Sequence, residues 1–374
     1  MPEFIAGLEL GRIFYTEAVK PILDADFPDL RYAAAIIGSG SEVLGFDTAL
    51  SSDHHWGPRV MLFVSPADHA TLKDDIHEAL ANRLPYHIRG YTTNFGAPQF
   101  NDNGVQLLEA IDRGPVNHRV EIDTLENYIL RYLGVDLADI LSDTLTPVHW
   151  LTMTAQKLRT VAIGGAVFHD DSGDLTRLRK KLAYYPQDVW LYLLAAGWVR
   201  VAEEEPFMGR TGSVGDEIGS RVIASRLVHD LMNLCFLMEK QYAPYSKWFG
   251  TGFKQLRCAK VLSPIFESVL DAPVWQVREK HLTHAYEIVA EMHNALNITA
   301  PLPTTTSKFH TRPFQVIHAE NFADAILAKI SDPAVKRIAD DTRIGSVEQL
   351  SNSTPFLSNT TLTRRARLLY CADG

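Results

Sequence analysis

The first 145 residues alternate short apolar runs with polar turns, and one longer stretch has helical spacing. Four runs predict strands: RYAAAIIG, RVMLFV, YHIRGY and HRVEID. Between the second and third runs, PADHATLKDDIHEALANRL predicts a helix with Ser65 as its cap and Pro66 at its first position. This part of the chain is therefore predicted to combine strands and helices.

From about Pro147 onward, apolar residues recur at helical spacing. The pattern covers VHWLTMTAQKLRTVA, LTRLRKKLAYY, PQDVWLYLLAAGWVRVAEEE, residues 213–240 and PVWQVREKHLTHAYEIVAEMHNAL. Residues 299–313 lack periodicity and predict a surface loop, which leads into a short helix near residues 321–331. The pattern predicts an α/β half over residues 1–145, a helical half over 146–330 and a polar tail over 331–374 that packs on the other domains.

Composition agrees with two packed domains and excludes some partners. The 374 residues are 46% apolar and 22% charged, enough for a sizeable core. With 36 Lys and Arg against 45 Asp and Glu, the formal net charge is -9. Bulk nucleic-acid binding is therefore not expected, although a local basic cleft could hold a nucleotide.

Cysteine spacing and hydropathy indicate the compartment. Cys235, Cys258 and Cys371 lie far apart without CxxC spacing, which favours neither a disulfide framework nor a zinc ribbon. The apolar stretches are too short to cross a bilayer, and no leader pattern opens the chain. We expect a cytoplasmic protein with no membrane partner, and the oligomeric state stays open.

Candidate chemistry begins in the run IIGSGSEVLGFD. Its glycines allow positive φ and close approach of a ligand, while Ser39 and Ser41 offer hydroxyl and N–H groups. The run is neither a Walker A loop nor a GxGxxG fingerprint. Two interpretations stay open at this point: a cradle for phosphate, or a tight turn with no ligand.

GSEVLG followed by SDHH resembles the signature of the nucleotidyltransferase superfamily. In that superfamily the Gly-Ser turn holds the triphosphate, and two aspartates one residue apart bind Mg²⁺. The resemblance implies that a turn formed by Gly38, Ser39, Gly40 and Ser41 binds nucleotide. It also implies that Asp53 binds a divalent metal ion.

This chain has His55 where the superfamily has its second aspartate. An imidazole nitrogen suits Mn²⁺, Zn²⁺ or Ni²⁺ better than Mg²⁺, and it can also accept a proton near neutrality. Three interpretations stay open: an enzyme with an altered metal site, a catalytically weak nucleotide binder, and a purely structural corner in which Asp53 and the histidines only hydrogen-bond.

HRVEID supplies candidates for the third carboxylate of the superfamily. On a strand, Arg119, Glu121 and Asp123 share one face. The spacing of Asp123 and Glu126 predicts a capping box, with Asp123 as the cap of the next helix. Glu121 is therefore the preferred third ligand, and a salt-bridging strand residue is the alternative.

A wider resemblance covers about residues 30–370. Its stretches are SDHHWGPRV, RLPYHIRGY, LRKKLAYYPQDVWLYLLAAGW, GRTGSVGDEIGS, YAPYSKWFG and IGSVEQLS. They are similar to a bacterial and fungal family of nucleotidyltransferase-like domains of unknown function. The resemblance implies an α+β architecture of the kanamycin nucleotidyltransferase type. In it, a small mixed-sheet catalytic domain precedes an all-helical domain that closes the cleft.

Basic residues complete the predicted site. Arg59, on the strand side, and Lys247, among aromatic residues, are predicted to offset phosphate charge, with Tyr242, Tyr245 or Trp248 stacking on a base. A lysine that only covers an aromatic patch is the alternative for Lys247. Other charges have helical i,i+4 spacing, which predicts exposed ion pairs. These pairs are Glu217 with Arg221 and Arg226 with Asp230.

The resemblance implies a nucleotidyltransferase that moves a nucleoside monophosphate from ATP or another NTP to an unidentified small-molecule or protein acceptor. Mg²⁺ or Mn²⁺ would be held by Asp53, His55 and Glu121. The first alternative is a nucleotide-binding module or sensor with little or no turnover. The second is a metal-dependent phosphohydrolase that uses the Asp-His-His cluster.

Overall fold

The computed structural model describes residues 3–51, 55–99 and 104–370. The chain divides into two compact units. Unit one consists of Met1–Thr144 and Lys157–Ala183, and unit two of Leu145–Gln156 and Tyr184–Gly374. Unit one contains a mixed sheet with helices and unit two is almost entirely helical, which confirms the predicted α+β class.

The secondary structure elements are numbered in chain order. The strands are β1 (Tyr32–Ile36), β2 (Arg59–Val64), β3 (His87–Ile88), β4 (Tyr91–Thr92), β5 (Arg119–Asp123), β6 (Ala166–Asp170), β7 (Ser307–Lys308) and β8 (Gln315–Val316). The helices are α1 (Gly7–Phe14), α2 (Lys20–Asp26), α3 (Pro66–Arg83), α4 (Leu125–Leu133), α5 (Leu137–Leu141), α6 (Pro147–Thr152), α7 (Ala155–Leu158), α8 (Asp174–Lys181), α9 (Gln187–Ser213), α10 (Glu217–Met238), α11 (Phe249–Phe253), α12 (Ala259–Asp271), α13 (Trp275–Ala295), α14 (Ala319–Leu327), α15 (Pro333–Asp341), α16 (Val347–Leu350), α17 (Thr354–Ser358) and α18 (Thr360–Arg365). Turns of π-helix lie at Tyr15–Val19 and Arg159–Ile163, and 3₁₀ turns at Glu42–Leu44, Ala49–Ser51 and Ala366–Tyr370.

The sheet of unit one has the strand order β5-β2-β1-β6. Strand β1 is antiparallel to β2 and β6, whereas β2 and β5 run parallel. Every residue of β2 is buried, while β5 buries only Val120 and Ile122. The sheet is therefore mixed, and β5 turns one polar face away from the core.

The other face of the sheet forms a core with α1 and α3. Leu10 and Phe14 of α1, Leu80 of α3, Leu62 of β2 and Ile122 of β5 belong to one buried apolar cluster. Burial of a side chain of this kind contributes roughly 1.5–3 kcal/mol. This core fixes the strand ends from which the candidate site is built.

The cap predicted for α3 is confirmed. The Ser65 hydroxyl accepts a hydrogen bond from the N–H of Asp68 at 3.1 Å, and Pro66 occupies the first helical position. Both features satisfy or remove N–H groups that a helix start leaves unpaired.

The cap predicted for α4 is wrong. Asp123 ends β5, where its carboxylate lies 2.9 Å from Arg131. The next residue, Thr124, caps the helix instead, because its hydroxyl accepts the N–H of Asn127 at 3.1 Å. The strand continues for one residue more than the capping-box spacing predicts.

The run YHIRGY forms a tight hairpin of β3 and β4 rather than one strand. Arg89 and Gly90 both have positive φ, at 49° and 84°. Two consecutive residues of this kind make the turn that joins antiparallel strands most readily.

The fourth strand of the sheet comes from a region that the sequence predicts as helical. Gly164 and Gly165 end the π-helical turn, and β6 follows directly. Gly165 has a φ of 66°, and a Cβ there would overlap the carbonyl oxygen of Ile36 in β1. Unit one therefore takes residues 157–183 as well as the first 144, which differs from the predicted boundary at residue 145.

Unit two is built around the long helices α9 and α10, with α13 and α14 packed on them. Trp198 of α9 stacks on Phe322 of α14, with ring centroids 4.4 Å apart. The pairing of β7 with β8 is a small exception to the predicted all-helical character. No helix among the described residues is long and apolar enough to cross a membrane.

The predicted tail packs within unit two. The hydroxyl of Tyr192 in α9 donates to the carbonyl oxygen of Thr342 at 3.1 Å. The Gln349 amide donates to the carbonyl oxygen of Leu193 at 3.0 Å. These bonds hold the segment around α16 against α9.

Candidate functional site

The glycines of the turn after β1 are required by its geometry. Gly38 and Gly40 have φ values of 81° and 135°, which disfavour residues with a side chain. A Cβ on Gly38 would overlap the Tyr128 hydroxyl, and one on Gly40 would overlap the Glu42 carboxylate. The turn therefore brings its backbone close to α4 on one side and to the buried Glu42 on the other.

The backbone N–H groups of Ser39, Gly40 and Ser41 in the turn have no acceptor among the described residues. Ser39 and Gly40 are exposed and Ser41 is half-buried. Consecutive N–H groups in a tight turn form a concave surface that binds anions. The predicted nucleotide-binding turn thus has the donors that a phosphate needs.

Arg59 ties this turn to β2. Its Nε donates to Glu42 Oε1 at 2.7 Å, and an Nη donates to the Ser39 carbonyl oxygen at 2.6 Å. The Glu42 residue is 4% exposed and Arg59 is 9% exposed. Their charges compensate each other inside the protein, so the guanidinium acts on the shape of the turn.

A buried lysine lies behind the turn and was not predicted. The Tyr132 hydroxyl hydrogen-bonds with the side chains of Thr160, at 3.0 Å, and Ser39. Lys157 is buried, with its Nζ 5.7 Å from the centre of the Tyr132 ring. Lys157 lies in a stretch that predicts only an ordinary helix, so no local signal marks it as a neighbour of the turn.

His55 and Glu121 meet through Arg119 at the adjoining strand ends. Arg119 Nη1 lies 2.9 Å from His55 Nδ1 and donates to Gln106 Oε1 at 2.7 Å. Arg119 Nη2 donates to Glu121 Oε1 at 3.3 Å. Burial lowers the pKa of Arg119, with Arg59 acting in the same direction and Glu121 opposing it. Sequence reasoning placed Arg119 on this face and gave it no role in the site.

The hydrogen bonds at Nδ1 indicate the tautomer of a neutral His55. Nδ1 accepts from the Gln106 N–H at 3.3 Å and from Arg119, both of which can only donate. A neutral His55 therefore carries its proton on Nε2. A metal bound at Nε2 would require that proton to move to Nδ1 and both donors to leave.

The described members of the predicted metal site do not fit a divalent ion as they stand. Glu121 is paired with a guanidinium, and His55 accepts from the same group. Over residues 3–51, 55–99 and 104–370, no group of three His, Cys, Asp or Glu side chains has a metal-binding arrangement. Asp53 lies outside the described residues, so its role as a metal ligand stays a prediction.

Lys247 and the aromatic residues predicted to bind phosphate and base belong to unit two, whereas the turn at residues 38–41 belongs to unit one. Lys247 is exposed in the turn before α11, with its Nζ 5.2 Å from the centre of the Trp248 ring. Tyr242 is buried between Tyr184 and Tyr185, so its predicted stacking on a base is wrong in this conformation. The nucleotide-binding role of Lys247 stays a prediction.

A family model and a solved structure are similar to parts of this chain. Residues 150–249 match the model of a domain of unknown function (DUF4037), which covers about a quarter of the chain. A search of curated proteins finds no match. Among solved structures, a nucleotidyltransferase-like protein from Exiguobacterium sibiricum 255-15 is similar over 81% of this chain and 82% of that chain. The identity is 11% and the TM-score is 0.33, which is too low to establish a shared fold.

Proposed function

We propose that unit one binds the phosphates of ATP or another nucleoside triphosphate at the turn formed by residues 38–41. The observation that carries this proposal is that the N–H groups of Ser39, Gly40 and Ser41 find no acceptor among the described residues. Such groups bind phosphate without a P-loop motif. The sequence resemblance to nucleotidyltransferases agrees with this class of ligand.

In this proposal Arg59 acts indirectly. Its bonds to Glu42 and to the Ser39 carbonyl hold the turn in the conformation that exposes the N–H groups. We assign to Lys157 the role of supporting the turn from behind, through its contact with Tyr132. Lys157 also adds positive potential near the anion.

The geometry favours binding with little or no turnover. A guanidinium between His55 and Glu121 opposes a second cation at that position. Binding of the nucleotide at residues 38–41 does not require a metal ion at this position. Nucleotidyl transfer is the second candidate, because Asp53 precedes His55 by two residues and so belongs next to this network in the chain.

Calorimetric titration with ATP, with and without Mg²⁺ or Mn²⁺, tests the binding site. We expect Gly40→Ala to weaken binding at least tenfold, since the added Cβ overlaps Glu42 and displaces the turn. Gly114→Ala is the matched control, because Gly114 also has positive φ but lies in open space. Equal ATP affinity in the two variants would refute the site.

Turnover is tested separately. The protein is incubated with α-labelled NTPs and either metal, and pyrophosphate is measured. The binding-module proposal predicts no more pyrophosphate from the wild type than from Asp53→Asn. Release by the wild type that Asp53→Asn abolishes would instead support nucleotidyl transfer.

A further inference from the structure

Unit two contains a polar cleft whose lining includes none of the residues assigned to nucleotide binding. Helices α9 and α10 and residues 348–352 line a cleft of about 90 Å³. Among the residues that line it are Arg200, Arg226, His229, Asp230 and Glu348. A cleft of this size admits a molecule of only a few heavy atoms.

Asp230 is the unusual member of this lining. It is 9% exposed, and Oδ1 lies 3.3 Å from His229 Nδ1. Its Oδ2 is buried and has no hydrogen-bond partner among the described residues. A buried carboxylate without full compensation is costly, and such groups in a cleft are candidates for ligand recognition.

The arginines of the cleft are hydrogen-bonded to other acids, although the charge of Arg226 also acts on Asp230. Arg226 makes two bonds to Glu204, at 2.9 Å and 2.7 Å. Arg200 Nη1 donates to Glu203 at 2.9 Å, while its Nε is a buried donor without an acceptor among the described residues. The cleft thus has one carboxylate oxygen, Asp230 Oδ2, and one donor, Arg200 Nε, that are buried and lack a hydrogen-bond partner among the described residues.

The remaining acid of the cleft has its own partners. The Glu348 carboxylate accepts the backbone N–H groups of Ala155 and Gln156 at the start of α7. It therefore serves to hold the C-terminal segment, and Asp230 is left as the group that a ligand would recognise.

We propose that this cleft binds a small organic cation, namely a molecule with an ammonium group and a neighbouring oxygen acceptor. The ammonium donates to the Asp230 carboxylate, and the oxygen faces the unused Arg200 donor. A phosphate or carboxylate ligand would meet the Asp230 charge and is disfavoured. A metal ion is disfavoured because the described residues offer no group of three ligands. This proposal is independent of the nucleotide site.

The first test measures binding of 2-aminoethanol to the whole chain by calorimetry at constant ionic strength. Ethylene glycol is the neutral counterpart and inorganic phosphate is the anionic one. We expect only the amine to bind, and Asp230→Asn to weaken that binding at least tenfold. Glu267→Gln is the control, because it removes an equal charge from an exposed position of unit two that does not line the cleft, and it is expected to change the affinity less than threefold.

Three outcomes would overturn the proposal: no binding of the amine, equal binding by the wild type and Asp230→Asn, or binding of phosphate in preference to the amine. A second readout needs no ligand. Removing a buried charge that lacks a hydrogen bond at Oδ2 should raise the melting temperature of Asp230→Asn by about 2–4 °C. A fall in melting temperature would assign Asp230 to the fold and also overturn the proposal.

Discussion

A buried carboxylate has a different kind of partner in each of the two units. In unit one, Glu42 is paired with Arg59, and the pair shapes a turn. In unit two, Glu205 is 3% exposed and accepts the N–H groups of Ile317 and Ala319 at 2.8 and 3.1 Å, with no cationic side chain bonded to it in the described chain. Pairing with a cation keeps the charge inside, whereas backbone donors alone leave burial to raise the pKa of Glu205 to about 7.

This contrast separates two uses of a buried acid. The ion pair of unit one fixes a backbone conformation whose N–H groups serve a ligand. The acid of unit two joins α9 to the start of α14, and its protonation is sensitive to pH near neutrality. Removing each partner in turn tests whether the distinction holds.

The largest expected effect is that of Arg59→Met. The substitution leaves Glu42 as an uncompensated buried charge, which costs about 3–5 kcal/mol of unfolding free energy. Chemical denaturation at pH 7 measures it. Arg89→Met removes a guanidinium from an exposed pair with Glu17 and should cost less than about 1 kcal/mol. Similar costs for both variants would contradict the importance of the buried pair.

An intermediate effect on the unfolding free energy is expected for Glu205→Gln, and it depends on pH. The folded-state pKa of about 7 for Glu205 lies above its ordinary value of 4.5, so the folded protein binds more protons between these values. The stabilising contribution is therefore full below about pH 4.5 and is lost as the pH rises towards 7. Relative to Glu205→Gln, the wild type should lose about 2–3 kcal/mol between pH 4.5 and 8.

Denaturation curves across this range check the Glu205 prediction, with Glu203→Gln as the control for an exposed acid on the same helix. The control should follow the wild type at every pH. Parallel curves for wild type and Glu205→Gln would show that the carboxylate stays charged throughout.

The smallest effect is expected for Arg119→Met. Arg119 lies beside Arg59 in the register of β2 and β5, yet its acidic partner Glu121 is largely exposed, and one of its own donors, Nε, is buried without an acceptor among the described residues. Removing it also breaks its hydrogen bonds to His55 and Gln106, so we expect the unfolding free energy to fall by about 1–2 kcal/mol. A loss as large as that of Arg59→Met, measured in the same denaturant series, would erase the difference between the two arginines.

Local signals in the sequence predict much of unit one. The apolar runs give β1, β2 and β5, and Ser65 with Pro66 marks the start of α3, because each depends on neighbours in the chain. Strand β6 escapes this reasoning, since its partner β1 lies about 130 residues earlier. Pairing over that distance leaves no periodicity to detect.

Ion pairs also show that local spacing does not predict contacts between distant segments. The i,i+4 spacing predicts that Glu217 pairs with Arg221 and Arg226 with Asp230. Instead, Glu217 binds Arg278 and Arg226 binds Glu204, both from other helices. Helical spacing gives only an exposed pair worth a few tenths of a kcal/mol, which tertiary contacts easily override.

The candidate site is predictable to a similar degree. The glycines after β1 predict a turn with exposed donors, because only glycine tolerates its φ values. The sequence does not reveal that Arg59 is bonded to Glu42, that Lys157 lies behind Tyr132 or that Arg119 joins His55 to Glu121. Each of these contacts depends on the packing of segments that are distant in the chain.

Strand β6 is synthesised long after its partner β1, and this delay affects the nascent chain. Until residue 170 has been added, β1 remains an edge strand with unpaired N–H and C=O groups. At a translation rate of about 5–20 residues per second, this interval lasts roughly 7–27 seconds. A nascent or truncated chain that ends near residue 145 therefore displays an adhesive β-edge, which makes such fragments prone to aggregate.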